Sequence, residues 1–346
     1  MQKKLIALAV AAAAAAPAFA QSNVTIYGRL DMGVASYGSH IGNEGTTNGI
    51  DSNIFRTSYL GFKGVEDLGN GLKAGFDLQY KLTVDSGDLN GETGNRDTFV
   101  FLNGGFGTVA LGRLTHFQDR LLGSVDPMGS SNLTGYDIGW NVGAAQMGYD
   151  DTRLDNTIAY ISPSFSGLTV SAAYSTNAGA AETLGNDADI RVWAISPVYK
   201  NGPITLGLNY HKADNQLNDD EETVWDIAAA YDFGMVKLSA AYGQDKFESA
   251  LGDNKAKQWF VGASAPVGAA GKVALVYGSQ ETLDDVKNSD IDRWALGYQH
   301  SLSKRTTLFA EYGNLDIEKN ASKAGLEGKF KDGYERGVGV GMVHTF

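Results

Sequence analysis

The chain has few residues that could do bond-breaking chemistry, and their spacing does not support it. It contains five histidines (His40, His116, His211, His300 and His344) and no cysteine. The histidines sit on different segments without metal-ligand spacing, so they read as surface or channel-lining side chains rather than a zinc site. Without cysteine there is neither a disulfide nor a thiolate nucleophile. No HExxH, GxSxG, phosphate-loop or EF-hand pattern occurs. GVGVG at 337–341 is followed by no helix, so it is glycine in a strand, not a nucleotide loop. The acid-rich run at 219–222 reads as a solvated loop, and loosely bound Ca2+ is the only cofactor its oxygens suggest. Charge remains. In VTIYGRLD, Arg29 shares a face with Thr25, Tyr27 and Asp31, opposite Ile26, Leu30 and Met32. Lys81 and Asp77 share the polar face of LKAGFDLQYKL. Fixed charges on a wet face steer ions and dipoles; they need a wall with water on one side only.

That wall is legible in a repeat. GLTVSAAYS (167–175), PITLGLNYH (203–211), MVKLSAAYG (235–243), KVALVYG (272–278) and TTLFAEYG (306–313) alternate apolar and small polar residues and end near a tyrosine. Intervening segments carry the complement: Trp193, Ile195, Pro197 and Tyr199 share one face, as do Trp225, Ile227, Ala229 and Tyr231. Period-two alternation predicts strands with one apolar face. Aromatics at both margins of an apolar band about 20 Å tall predict a transmembrane barrel rather than a water-soluble sandwich. Short connections (67–71, 103–107, 162–167, 200–203, 232–234, 301–305) alternate with long polar ones (36–52, 84–95, 115–152, 176–188, 212–222, 244–256, 280–290, 313–332). The expected fold is therefore all-β, a transmembrane antiparallel β-barrel of about 16 strands.

A ring has no edge. An unpaired strand in lipid would leave backbone N–H and C=O groups unsatisfied at several kcal/mol each. The last strand, GVGVGMVHTF, is therefore expected to pair with the first, VTIYGRLDMG. Val338, Val340, Met342 and Phe346 would then face lipid or a neighbouring subunit, with the chain finished where the ring closes.

The N-terminus adds an address. Lys3 and Lys4, the run LIALAVAAAAAA and the small residues Ala18 and Ala20 have the order of a signal peptide, expected at 1–20. Residues 21–346 then form one barrel, since neither a linker nor a shift of composition divides them. Without Lys3 and Lys4 the formal charge of −12 becomes −14, which excludes nucleic acid as a partner.

VTIYGRLDMGVAS, YLGFKGVEDLGNGLKAGFDLQY, GGFGTVALGR and the terminal phenylalanine resemble the trimeric general-diffusion porins of Gram-negative outer membranes, most closely the β-proteobacterial type. The resemblance runs from about residue 23 to the end. It implies a homotrimer in the cell outer membrane, in contact with lipopolysaccharide and lipids, passing small hydrophilic solutes passively, with trimer contacts in the N-terminal half. It also implies that Phe346 is an assembly signal for the barrel-assembly machinery. The third external loop of that family folds into the lumen, and the long segment after the fifth strand (115–152) takes that place here. The family's PEFG stretch is absent; SVDPMG (124–129) stands in that part of the loop.

Narrow porins set basic wall residues against acidic loop residues. By position, Arg96 and Arg153 match the wall arginines and join Arg29 and Lys81; Asp119, Asp126 and Asp137 are the loop candidates. Tyr59 stands where relatives often have arginine, so the basic row is expected to be shortened or displaced. Arginines at an eyelet favour anions, and a weak anion preference is the expectation. Two rival functions remain: a substrate-specific channel, which would carry an aromatic slide and typically two more strands, and a barrel adhesin or hydrolase, which would need a rigid loop platform or a Ser/His pair.

Overall fold

The computed structural model describes residues 24–39, 45–89, 95–133, 147, 149–150, 152–179, 189–250, 252–284, 286–318, 320–321 and 335–346. The expected leader at 1–20 and Asp137 lie outside them.

Eighteen strands occur among these residues. The first stretch holds β1 (Thr25–Ser39), β2 (Gly45–Ser52), β3 (Tyr59–Gly69), β4 (Leu72–Thr83), β5 (Asp88–Leu89), β6 (Asn95–Gly104) and β7 (Gly107–Thr115). Helix α1 (Phe117–Val125) follows, then β8 (Arg153–Ile161), β9 (Leu168–Ser175), β10 (Ile190–Asn201), β11 (Ile204–Asn215) and β12 (Glu221–Asp232). The chain ends with β13 (Lys237–Glu248), β14 (Asn254–Val267), β15 (Gly271–Glu281), β16 (Asp290–Ser301), β17 (Thr306–Ile317) and β18 (Arg336–Thr345). β2 and β5 are hairpin arms that pair only with β1 and β4. The other sixteen close a ring of antiparallel neighbours, β1 to β3 on one side and β1 to β18 on the other. Closure runs from Arg29 opposite Thr345 to Gly38 opposite Arg336, and Gly28 and Phe346 exchange both backbone hydrogen bonds, at 3.2 and 3.1 Å.

The two faces separate as the alternation requires. Outside, aliphatics such as Ile195, Leu208, Val261 and Leu296 are exposed, and Val338, Val340, Met342 and Phe346 join them. Tyr174, Trp193, Tyr210, Trp225, Tyr242, Trp259, Tyr277, Trp294 and Tyr312 follow one another across β9 to β17. Within this row Tyr174 lies opposite Trp193, Tyr210 opposite Trp225, Tyr242 opposite Trp259 and Tyr277 opposite Trp294. The rings that meet are the alternate pairs, Trp193–Tyr210, Trp225–Tyr242, Trp259–Tyr277 and Trp294–Tyr312, with centroids 5.1–5.6 Å apart. This is the aromatic girdle, whose amphipathic rings suit the membrane boundary.

Several stretches expected as loops are ladder instead. Residues 36–39 pair with 45–48 in the β1–β2 ladder, and β11 to β14 continue into 212–222 and 244–256. The apolar alternation stops at the membrane edge, whereas backbone pairing continues into water, where both faces are polar; the sequence signal therefore marks the apolar band and not the strand.

The buried interior lies between the chain's own loop and the inner wall. Leu121, Leu122, Val125 and Met128 pack on Ala228, Ala230, Phe260, Ala274, Val276 and Ala295. Ile54, Phe55 and Leu133 pack on Tyr37, Phe309 and Val343. Small wall residues make the room: a Cβ at Gly337 would strike Leu133, and one at Gly339 would strike Ile54. The GVGVG run thus seats side chains from two other segments, because only glycine lets a side chain lie directly on the strand backbone.

Candidate functional site

α1 starts where β7 ends. Its apolar residues Phe117, Leu121, Leu122 and Val125 fall on one face at helical spacing and are buried, while Asp119 and Arg120 remain open. Gln118 is also buried and donates 2.8 Å to Asp226 on β12. His116, at the N-cap, packs edge-on against His211 of β11 with centroids 4.5 Å apart. Further along, the Ser131 hydroxyl reaches Glu311 of β17 at 2.8 Å, and the Leu133 amide donates to the Ile54 carbonyl at 3.1 Å. The segment 116–133 is thus tied to β11, β12 and β17 and to the 52–58 loop.

The basic residues face the pore from the other side. Arg29 on β1 and Arg96 on β6 both stack on Tyr59 of β3, their guanidinium carbons 5.2 and 5.4 Å from the ring centre. Their other partners are neutral: Arg29 Nε donates to the Thr57 carbonyl at 3.0 Å, and Arg96 Nε to Gln79 Oε1 at 3.4 Å. Neither forms an ion pair among the described residues. Arg96 lies within electrostatic range of Arg29, Arg153, Asp97 and Asp119. Lys81 is opposite Tyr59 in the β3–β4 register. Arg153 is less open; its Nε is 3.5 Å from Asp97, whose carboxylate also accepts from the Thr115 amide at 2.9 Å.

The remaining candidates divide. Asp77 is nearer the short turns, opposite Lys63 in register and bonded by the Tyr27 hydroxyl. Asp119 is partly exposed on α1 and lies within electrostatic range of Arg96. Asp126 is buried. Its carboxylate accepts from the Met128 and Ser130 amides at 3.0 and 2.6 Å and shapes the loop turn. Burial pushes that carboxyl up, against the pull of those amides and of Arg293 and Arg56.

Two residues carry more than their sequence context indicated. Asp31 is fully buried and gathers the amides of Ile54, Phe55 and Arg56 at 3.0, 3.1 and 2.7 Å. It therefore holds the 52–58 loop and does not line open water. That loop brings Arg56 over the Phe55 ring at 4.6 Å, towards Asp126 and Glu311, and burial lowers its pKa. Arg56 thereby joins the basic wall that Tyr59 was expected to shorten. Its signal was faint: it stands three positions before Tyr59, and only the Asp31 contact turns it inward. For α1 the signal was present, in the i, i+4, i+5, i+8 spacing of its apolar residues.

A closed sixteen-strand ring, apolar outside, with charged groups inside beside a strapped-down loop, invites comparison with known proteins. The profile of the Gram-negative porin family matches residues 7–320. Outer membrane porin protein 32 of Delftia acidovorans is 38% identical over the full length of both chains. The major outer membrane protein P.IB of Neisseria meningitidis serogroup B is 29% identical, again over 100% of each. Among solved structures, an anion-selective porin from Comamonas acidovorans superposes with a TM-score of 0.83 at 32% identity, covering 94% of this chain and 100% of the other. The chain therefore belongs to the Gram-negative porin family, outer-membrane channels for passive diffusion and not enzymes.

Proposed function

We propose that this porin is a general-diffusion channel with anion preference, whose eyelet lies between the Arg29–Arg56–Arg96–Arg153 wall, with Lys81, and the infolded segment bearing Asp119. The observation that carries the reading is that Arg29 and Arg96 hold their charges on a tyrosine ring and neutral oxygens. A cation without a carboxylate partner keeps its field for the pore. Over the roughly 8 Å screening length of physiological salt, that field fills an eyelet and fades in the vestibules. Anions are drawn in, polar solutes are oriented, and lipophilic ones must disturb ordered water. The similar Comamonas porin is described as anion-selective, which agrees.

The test is a reversal potential in a KCl gradient across a planar bilayer. Arg29→Gln with Arg96→Gln moves it towards the cation side. An unchanged potential would take these residues out of the eyelet.

The assembly is a homotrimer in this reading. The Trp–Tyr girdle spans β9 to β17, whereas the outer face of β3, β4, β6 and β7 carries Val100, Leu102 and Leu111 around a groove of about 550 Å3 over Gly64 and Ala74. Among the described residues no tryptophan lies on those strands. A face whose margin carries Tyr80 but no Trp–Tyr row suits a second copy better than lipid. Phe346 serves as the assembly signal, and lipopolysaccharide borders the outer rim.

A further inference from the structure

A cavity of about 310 Å3 lies inside the barrel between α1 and the inner wall of β8 to β10, on the side of the short turns. Its volume is at the small end of ligand sites. One part is apolar, built from Phe117 and Leu121 of α1 with Ile161 and Val198 of the wall. The other part is made of donors. Arg120 and Lys200 stand at its margin, and no carboxylate lines it. Lys200 makes no ion pair among the described residues, and Arg120 approaches Asp97 at 3.7 Å and lies 5.9 Å from the centre of the Phe117 ring. The hydroxyls of Ser164, Thr169 and Ser171 also line it and have no hydrogen-bond partner among the described residues.

We propose that this cavity is a holding site, separate from the arginine wall, for small carboxylates that carry an apolar or aromatic body. Arg120, Lys200 and the free hydroxyls take the carboxylate, and the Phe117–Val198 side takes the hydrocarbon. A bare inorganic anion would leave that apolar surface wet, and an uncharged ring would leave the cations without a partner. Both should bind more weakly. The site rests on the channel reading, because solute reaches it through the lumen.

The test uses the full channel in planar bilayers, with benzoate as the probe and acetate and benzyl alcohol as its separated halves. Benzoate reduces KCl conductance in a saturable manner, at concentrations at least tenfold below those at which acetate or benzyl alcohol acts. Ser171→Phe fills the cavity without changing charge. It weakens the block at least tenfold and leaves the KCl reversal potential as in the parent. Lys200→Gln, at an exposed turn where folding is not at stake, also weakens it. A channel that conducts KCl normally yet responds equally to benzoate and acetate overturns the proposal, as does a block that survives both substitutions. Loss of KCl conductance in the parent would instead overturn the channel reading.

Discussion

Tyr59 shows what one residue contributes when two charges share it. Its ring seats both Arg29 and Arg96, and Tyr27 meets it edge-on at 5.9 Å. A guanidinium on an aromatic face gains about 0.5–1 kcal/mol at an exposed site and keeps its full charge. An arginine at this position would add charge but repel both neighbours; tyrosine instead organises the two cations already present. Tyr59→Leu is expected to loosen both guanidinia and reduce the anion/cation permeability ratio by roughly two- to fivefold, the factor those energies represent. Tyr59→Phe keeps the ring and should retain the parent ratio. Identical reversal potentials for the leucine variant and the parent would remove the ring from this role. Asp31 gives the opposite lesson. It lies on the lumen side of its strand, but three backbone amides consume it, so alternation locates a side chain's face without saying what it meets there.

At the level of the element, α1 depends on its root. His116 is buried against His211, with Asp150 and Arg120 as its charged neighbours, and burial lowers its pKa from 6.5 to about 4. The sign follows from proton uptake. Between pH 6.5 and 4 an undocked His116 takes up a proton that the docked one refuses, so docking is fully supported above about 6.5 and weakens as pH falls. The loss approaches about 3 kcal/mol near pH 4. Single-channel recordings at pH 4.5 should therefore show more open-channel noise and closures than at pH 7.5, and His116→Gln should reduce that difference. Equal pH responses of variant and parent would place acid sensitivity elsewhere. Glycine seats complete the docking: Leu121 lies on Gly207 and Met128 on Gly297. Between the polar ties to Asp226, Lys237, Lys272 and Glu311, these contacts explain why the inner wall beneath the loop has small residues where apolar side chains seat.

For the whole molecule the girdle is the informative feature, because it is partial. Outward residues of β9 to β17 follow the pattern expected against lipid, with aliphatics between boundary aromatics. Those of β3, β4, β6 and β7 are mainly aliphatic, with Phe76 and Tyr80 among them but no Trp–Tyr row, and a groove runs among them. If a second copy covers that groove, Val100→Arg on β6 should shift detergent-solubilised protein from trimer to monomer in light scattering. Leu275→Arg on β15 points at lipid, where an arginine costs ~2–4 kcal/mol near the midplane; it should lower thermal stability but keep the trimer. The reverse outcome would move the subunit contact to the other side of the ring.

Much of this was legible in the chain. Period two in the side chains and the need to pair every backbone group in lipid together dictate a closed barrel, and the Trp/Tyr margins mark its membrane band. Arg29 was readable for the same reason: its face follows from counting by two. What counting could not supply is contact across the lumen. Arg56 joins the basic wall because Asp31 holds its loop, Asp126 turns into the loop's own amides, and α1 finds its seat through glycines as far away in sequence as Gly207 and Gly297. A strand's pattern is local, set by neighbours along and across the sheet. The pore's charge geometry is set by a loop folding back on a distant wall, and no repeat in the sequence records that distance.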